Sequence, residues 1–323
     1  MTKKDASPFL KSRDDETNFC IKTNCNTIMS KFFFNKLFII QSLVDSDRKT
    51  GNELENIIND WAKVNQTPIQ AVLFNVETKE EWEATWNGIY TSIRDCTNIP
   101  IIHLVMHGNE NYVGIKKGYR GLIPLRELFD KVRKANELSR NNIFLSMAVC
   151  KGLNVIRSLS VSKHMPFCGL LASEDSLLND ETLANYTLFY KSFFTKLNID
   201  EAKAELQANG IHPELYKLSK PEEIFMNAMC GYLESQSKDD KIEERAKTIA
   251  NMGNLNISDG QEWRDFVETV RKLVKEEDEK HYQLYVSTFF MFDLYPEIED
   301  RFQVPKTLAE FKEMAKNEGM DLY

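Results

Sequence analysis

Ile99-Pro-Ile-Ile-His-Leu-Val-Met-His-Gly108 and Ile143-Phe-Leu-Ser-Met-Ala-Val-Cys150 decide the fold. Each is a short, nearly continuous apolar run, the pattern of a strand buried on both faces of a parallel sheet. Each also closes on a reactive side chain, His107 in the first and Cys150 in the second. Between them lie the glycines Gly114, Gly118 and Gly121 and an amphipathic stretch from about Pro124 to Ala135, a crossover long enough for the two strands to run parallel. Neighbouring strands lie ~4.8 Å apart, and open α/β sheets bind ligands beyond the carboxyl ends of their strands. A histidine and a cysteine delivered to that edge can act as base and thiol nucleophile.

Working outward, Lys36 to Leu43 has the apolar content of another core strand and runs into the acidic turn Asp45-Ser-Asp-Arg-Lys49. Gly51 to Asn65 sets Leu54, Ile57, Ile58 and Trp61 at the i, i+3, i+4, i+7 spacing of an amphipathic helix. A strand at Ile69 to Val76 and a helix at Glu77 to Cys96 complete the approach to His107. Beyond Cys150 the pattern predicts a helix reaching Ser162, a fifth strand at Pro166 to Ala172, and a long helical stretch from Asn179 to Leu206. That stretch carries Tyr186, Phe189, Tyr190, Phe193 and Phe194, and Ile224 to Met229 is expected as one more short strand. Strands alternating with helices on this scale predict a doubly wound α/β sheet. Residues 1–30 are expected as a mobile polar tail and 31–235 as the α/β domain. The polar Ser237-Lys-Asp-Asp-Lys241 then opens a small helical C-terminal appendage over 236–323, with helices at Asp239 to Met252, Gly260 to Tyr285 and Thr307 to Lys316.

Composition narrows the function. The chain of 323 residues is 42% hydrophobic, enough for a sizeable core, and carries a net charge of −8 with a pI near 5.4. An acidic protein has no global field for a nucleic-acid backbone or an anionic membrane, so neither is expected as a partner. The six cysteines (20, 25, 96, 150, 168, 230) form no CxxC pair and no zinc spacing, so no metal and no redox motif is expected. The N-terminus lacks an early apolar core, and Lys31 to Ile40 is short and holds Asn35 and Lys36; a soluble, cytoplasmic protein is expected.

Strand-His-Gly, a crossover and strand-Ala-x-Cys-x-Gly together resemble the caspase-like cysteine peptidases, the group that includes caspases, metacaspases, separases and the bacterial CHAT proteases. His107-Gly108 stands 43 residues ahead of Cys150, close to the ~50-residue separation in that group. Phe167-Cys-Gly-Leu-Leu-Ala-Ser-Glu-Asp175, Leu188-Phe-Tyr-Lys-Ser-Phe-Phe194 and Asp200-Glu-Ala202 extend the resemblance, which is nearest to CHAT-type sequences and covers about residues 36 to 230. It implies a caspase-like, mostly parallel sheet with helices on both faces, and a peptidase without a cofactor. Cys150 would be the nucleophile and His107 the general base and acid, with the N–H groups of Gly108 and Cys150 forming an oxyanion hole. A protein substrate, a regulatory protein partner and limited proteolysis in a stress or antiviral response follow by analogy.

Caspases carry Gln and metacaspases Asp two residues before the nucleophile, whereas this chain has Ala148. A small, neutral pocket wall results, and any charge for the first substrate pocket must come from turns. Asp47 and Asp175 are the expected carboxylates for a basic substrate residue, with Arg48 beside Asp47 acting against it and an apolar, Leu-accepting pocket as the competitor. His103 lies on the same strand face as His107 but in mid-strand, where a core role is expected; Cys168 is expected in the core. Competing chemistries fail on spacing. Cys150 to Arg157 is Cys-x6-Arg rather than the Cys-x5-Arg of a thiol phosphatase, and no GxxxxGK[ST], HExxH or GxGxxG is present. The remaining alternative is a catalytically inactive caspase-like scaffold that binds a protein partner.

Overall fold

The computed structural model describes residues 34–96, 98–116, 121–176, 178–236, 239–257 and 260–319. The expected N-terminal tail, with Cys20 and Cys25, and Gly118 lie outside them. Six strands form one sheet in the order β2-β1-β3-β6-β7-β8: β1 (Lys36–Ser42), β2 (Gln70–Asn75), β3 (Pro100–Met106), β6 (Phe144–Ala148), β7 (Gly169–Ser173) and β8 (Tyr216–Ser219). The first five are mutually parallel, and β8 joins β7 antiparallel. All seven residues of β3 are buried, as its apolar run, interrupted only by His103, requires of a central strand, whereas β2, at an edge, is exposed at both ends.

Helices cover both faces. On one side α1 (Thr50–Val64), α4 (Asn179–Lys196) and α5 (Ile199–Asn209) form a cluster with Leu37, Ile39, Ile101, Val105 and Phe144 of the sheet. The five aromatics of α4 are all buried and layer on Phe144 and on each other, the Phe144–Phe189 and Tyr190–Phe194 rings stacking at 6.0 and 5.7 Å. On the opposite side α2 (Lys79–Cys96), α3 (Leu125–Leu138) and α6 (Pro221–Gln236) pack on Ile40, Ile102, Leu104, Leu145 and Met147. A mixed α/β fold with a mostly parallel, doubly covered sheet is therefore what the chain adopts.

Three local expectations are corrected. The helical stretch from Asn179 breaks in two because Leu197 turns left-handed (φ 52°) and the Asn198 side chain caps α5 by accepting from the N–H groups of Asp200 and Glu201. Ile224 to Met229 lies inside α6. Pro221 followed by Glu222 and Glu223 is a helix start, and Phe225, Met229 and Leu233 recur every fourth residue on its buried face. The sixth strand is instead β8. After Cys150 the chain forms a 3₁₀ helix at Gly152–Ser158 rather than a helix reaching Ser162.

The charged C-terminal segment is helical, with α7 (Asp239–Met252), α8 (Gln261–Phe289) and α9 (Leu308–Asn317). Ile242 and Ala246 of α7 meet Val270 and Val274 of α8 in a small cluster of their own. Tyr282, Phe289, Phe290, Phe302 and Phe311 instead enter the same apolar cluster as α2, α3 and α6. Polar ties fix this seam: the Arg301 guanidinium donates to the carbonyl of Asn141 at 2.8 Å, and Tyr295 Oη to that of Glu137 at 2.8 Å.

Candidate active site

Sheet order reverses direction between β1 and β3, because the chain leaves β1 for β2 on one side and for β3 on the other. Such a switch point leaves a crevice at the carboxyl ends of the strands. The loops after β1, β3, β6 and β7 all open on that edge, and they carry Asp47, His107, Cys150 and Asp175.

Register brings the histidine and the cysteine together. Val105 of β3 pairs with Ala148 of β6 in parallel, so His107 and Cys150 each lie two residues beyond a shared rung. His103, Val105 and His107 alternate onto one face, and Ser146, Ala148 and Cys150 onto the same face; it is the face that α4 covers. Gly108 and Val149 touch across this gap. A Cβ at position 108 would lie 2.3 Å from Val149 Cγ1 and 3.0 Å from the Tyr112 carbonyl oxygen, so the close approach of the two strand ends depends on glycine there.

A small hairpin holds the His107 backbone. The glycine-bearing stretch forms β4 (Tyr112–Gly114) and β5 (Leu122–Pro124). Gly114 N–H donates to the His107 carbonyl at 2.8 Å and Asn109 N–H to the Tyr112 carbonyl at 2.9 Å. Gly108 sits between those two bonds, opposite Val113, so its own N–H is directed away from the hairpin. That direction suits an oxyanion donor.

The loop after β1 is braced around Asp47. Asp47 N–H donates to the Val44 carbonyl at 3.0 Å, and Val44 N–H returns a bond to Asp47 Oδ2 at 3.0 Å. Lys49 Nζ donates to the carbonyls of Leu43 and Val44. Arg48, expected to compete with Asp47, turns instead to Glu53 at 2.6 Å and to Asp180. Asp47 Oδ2 also lies 2.8 Å from His107 Nε2. Sequence reasoning assigned Asp47 to substrate and missed this pairing; the available signal was only that Asp47 follows the strand beside β3.

Cys150 is a free, half-buried thiol at the turn after β6. Lys151 next to it adopts a left-handed conformation (φ 56°, ψ 28°), which costs a non-glycine residue roughly 1–2 kcal/mol. Its N–H donates to the Asp175 carbonyl at 3.1 Å and its Nζ pairs with Glu110 at 2.9 Å, so the loops after β6, β7 and β3 are joined at the cysteine. Asp175 itself is exposed, and its carboxylate accepts the Ser176 N–H at 2.7 Å. Ala148, the last residue of β6, is half-buried against the α4-side cluster.

The rival groups occupy different surroundings. His103 is 1% exposed; burial pushes its imidazole down to about 3, and Nδ1 meets Tyr190 Oη at 3.0 Å. It is a neutral core histidine. Burial pushes the Cys168 thiol up to about 12, so it supplies no thiolate near neutrality. Cys168 lines a cavity of about 810 Å³ with Phe34, Phe144 and Gly169, at the amino ends of the strands and away from His107 and Cys150. Among the described residues no group of three or more His, Cys, Asp or Glu side chains is placed to hold a metal ion, and no helix is long and apolar enough to cross a membrane.

No family model and no curated protein matches the sequence. Among solved structures the chain is similar to a secreted C11 cysteine protease from Bacteroides thetaiotaomicron, determined in complex with an irreversible peptide inhibitor. The TM-score is 0.38 at 10% identity, covering 62% of this chain and 70% of that one.

Proposed function

We propose that the chain is a caspase-like cysteine endopeptidase acting through Cys150 and His107. One observation carries the reading: the parallel β3–β6 register that sets both residues two positions past the Val105–Ala148 rung, at the open edge of the sheet. In the proposed reaction His107 takes the Cys150 thiol proton and the thiolate adds to the scissile carbonyl carbon. The oxyanion forms against the N–H groups of Gly108 and Cys150, where a lost donor typically costs ~3 kcal/mol. Collapse breaks the C–N bond, and the leaving amine takes the proton from His107, leaving a thioester on Cys150. Water then adds to the thioester with His107 as base, releasing the acid and restoring the thiol.

The proposed substrate is a protein, and Asp175 and Ala148 are the proposed walls of its first pocket, with Asp175 favouring a basic residue. The finer reading, a CHAT-type enzyme acting on one partner in stress or antiviral defence, rests on sequence resemblance. A peptide-library digest with the wild type, Cys150→Ala and His107→Ala tests the proposal. Cleavage by the wild type alone is expected; an irreversible thiol probe labelling Cys150 no faster than an ordinary exposed cysteine, with no cleavage, would establish the scaffold alternative.

A further inference from the structure

His107 needs to be held as well as delivered. Its side chain is 64% exposed, so nothing in the packing of the sheet edge fixes the imidazole, and an unheld ring presents either nitrogen to the thiol. Asp47 supplies the missing constraint. Its side chain is only 21% exposed, and one oxygen, Oδ2, meets both the Val44 N–H at 3.0 Å and His107 Nε2 at 2.8 Å. The Val44 bond, the Asp47 N–H bond back to the Val44 carbonyl, and the Lys49 ammonium on the carbonyls of Leu43 and Val44 make this carboxylate part of a built loop. Arg48, the adjacent cation, is occupied by Glu53 and Asp180 and leaves Asp47 to the histidine.

The chemistry of the pair sets the tautomer. An ionised carboxylate only accepts hydrogen bonds, so Nε2 is the nitrogen that carries the hydrogen and Nδ1 is left with its lone pair. We infer that Asp47 is the positioning residue of the proposed active site, fixing His107 with Nε2–H on its carboxylate so that Nδ1 is the nitrogen that exchanges the proton with Cys150 and the leaving amine. This inference rests on the proposed role of His107 as base. It reassigns Asp47 from the substrate pocket to the catalytic histidine and leaves Asp175 as the acidic candidate for that pocket. When the imidazolium forms, its new hydrogen is on Nδ1, facing the leaving group, while the Asp47 carboxylate stays hydrogen-bonded to the far nitrogen, Nε2.

The test uses the full chain with Asp47→Ala and Asp47→Asn; the Asn carbonyl oxygen, placed where Oδ2 stands, still accepts from both the Val44 N–H and the His107 Nε2–H, so it keeps the loop and the ring's orientation while removing the charge. Carboxylates that orient a metal-bound histidine typically contribute 10–100-fold; on that scale kcat toward a cleaved peptide is expected to fall about tenfold or more in Asp47→Ala and less in Asp47→Asn, with KM little changed in both. Selective ¹⁵N-histidine labelling, practical with five histidines, reads the ring directly. In the wild type at alkaline pH, His107 is expected as a single Nε2–H tautomer, and in Asp47→Ala as a mixture. Unchanged ¹⁵N shifts in Asp47→Ala would overturn the inference. So would a rise in KM confined to Arg and Lys substrates at constant kcat, which would return Asp47 to the pocket. Loss of the peptidase reading would look different: His107→Ala would leave Cys150 alkylation and peptide cleavage unaffected, while the tautomer measurement would still report whether Asp47 holds the ring.

Discussion

Replacing Gly108 by alanine perturbs the junction between the two strand ends that carry His107 and Cys150. The added Cβ would sit 2.3 Å from Val149 Cγ1, against an ordinary carbon–carbon contact of about 3.5–4.0 Å, so something must move by more than an ångström. Val149 is 2% exposed and belongs to the cluster beneath the sheet, and its branched side chain has no flexible end to swing away. The expected cost is that of overpacking a filled core, about 2 kcal/mol within a range of about 1–3. Val149→Ala removes the clashing methyl and on its own costs about 2 kcal/mol in lost burial and cavity. The two changes should therefore compensate: the double variant is expected near 2 kcal/mol rather than the additive ~4 kcal/mol, a coupling of about 2 kcal/mol. Urea unfolding of the four proteins measures the cycle. Peptide cleavage by Gly108→Ala should fall more than its stability does, because the displaced segment carries the Gly108 N–H and His107. Additive stabilities within about 0.5 kcal/mol would refute the close approach as the reason for glycine.

Four further outcomes follow from the same geometry. A thiol reagent at neutral pH is expected to label Cys150 and spare Cys168, whose thiol burial pushes up to about 12; peptide mapping of early labelling checks it, and Cys168→Ala should retain cleavage. His103→Ala should lower stability by about 3 kcal/mol, since it opens a cavity among Tyr186 and Tyr190 and strips Tyr190 Oη of its partner, and urea titration with circular dichroism reads that loss. Burial alone would push the His164 imidazole down, but its bonds to Glu137 at 2.7 Å and Asp293 at 3.2 Å outweigh this and raise it above 6.5. Its stabilisation is thus complete below the unfolded value and is lost as pH rises through the raised folded value, so urea midpoints should decline above about pH 6.5 less steeply in His164→Gln than in the wild type. Deleting 239–323 is expected to give insoluble protein, because Tyr282, Phe289, Phe290 and Phe311 share a cluster with Phe225 and Trp82; a soluble, folded product in size-exclusion chromatography would contradict this.

The central sheet was legible because its signal is one of burial. β3 and β6 are apolar but for His103 and Ser146 since both of their faces are covered, and the aromatic spacing of α4 showed a helix whose buried face is wide. The misread elements are those where another force outweighed hydrophobic patterning. Ile224 to Met229 is as apolar as a strand, but Pro221, Glu222 and Glu223 start a helix there. The polar alternation of Tyr216 to Ser219 is weak because β8 is an edge strand with only Tyr216 buried. The split between α4 and α5 turns on one left-handed leucine and one asparagine cap, features that leave little periodic trace. In the charged C-terminal segment the packing is carried by dispersed aromatic residues, Tyr282, Phe289, Phe290 and Phe311, rather than by a continuous apolar run.

His103 and His107 show what the sequence held and what it lacked. They are four residues apart on one strand, on one face, and strand position alone separated a core histidine from a candidate base. Depth in the sheet turns that difference into chemistry: His103 is 1% exposed and driven neutral against two tyrosines, while His107 is 64% exposed. Exposure frees a base to meet substrate, but it also removes the packing that would fix the ring, so orientation must come from another loop. At a switch point the loop after β1 is the neighbour able to supply it, because β1 lies beside β3 and its chain turns away toward β2. Asp47 stands in that loop, and its carboxylate reaches His107 only because the Val44 turn and the diversion of Arg48 to Glu53 and Asp180 hold it there. Such a contact depends on the path of a loop rather than on any periodicity, which is why the strand ends could be read from the sequence and the residue that completes them could not.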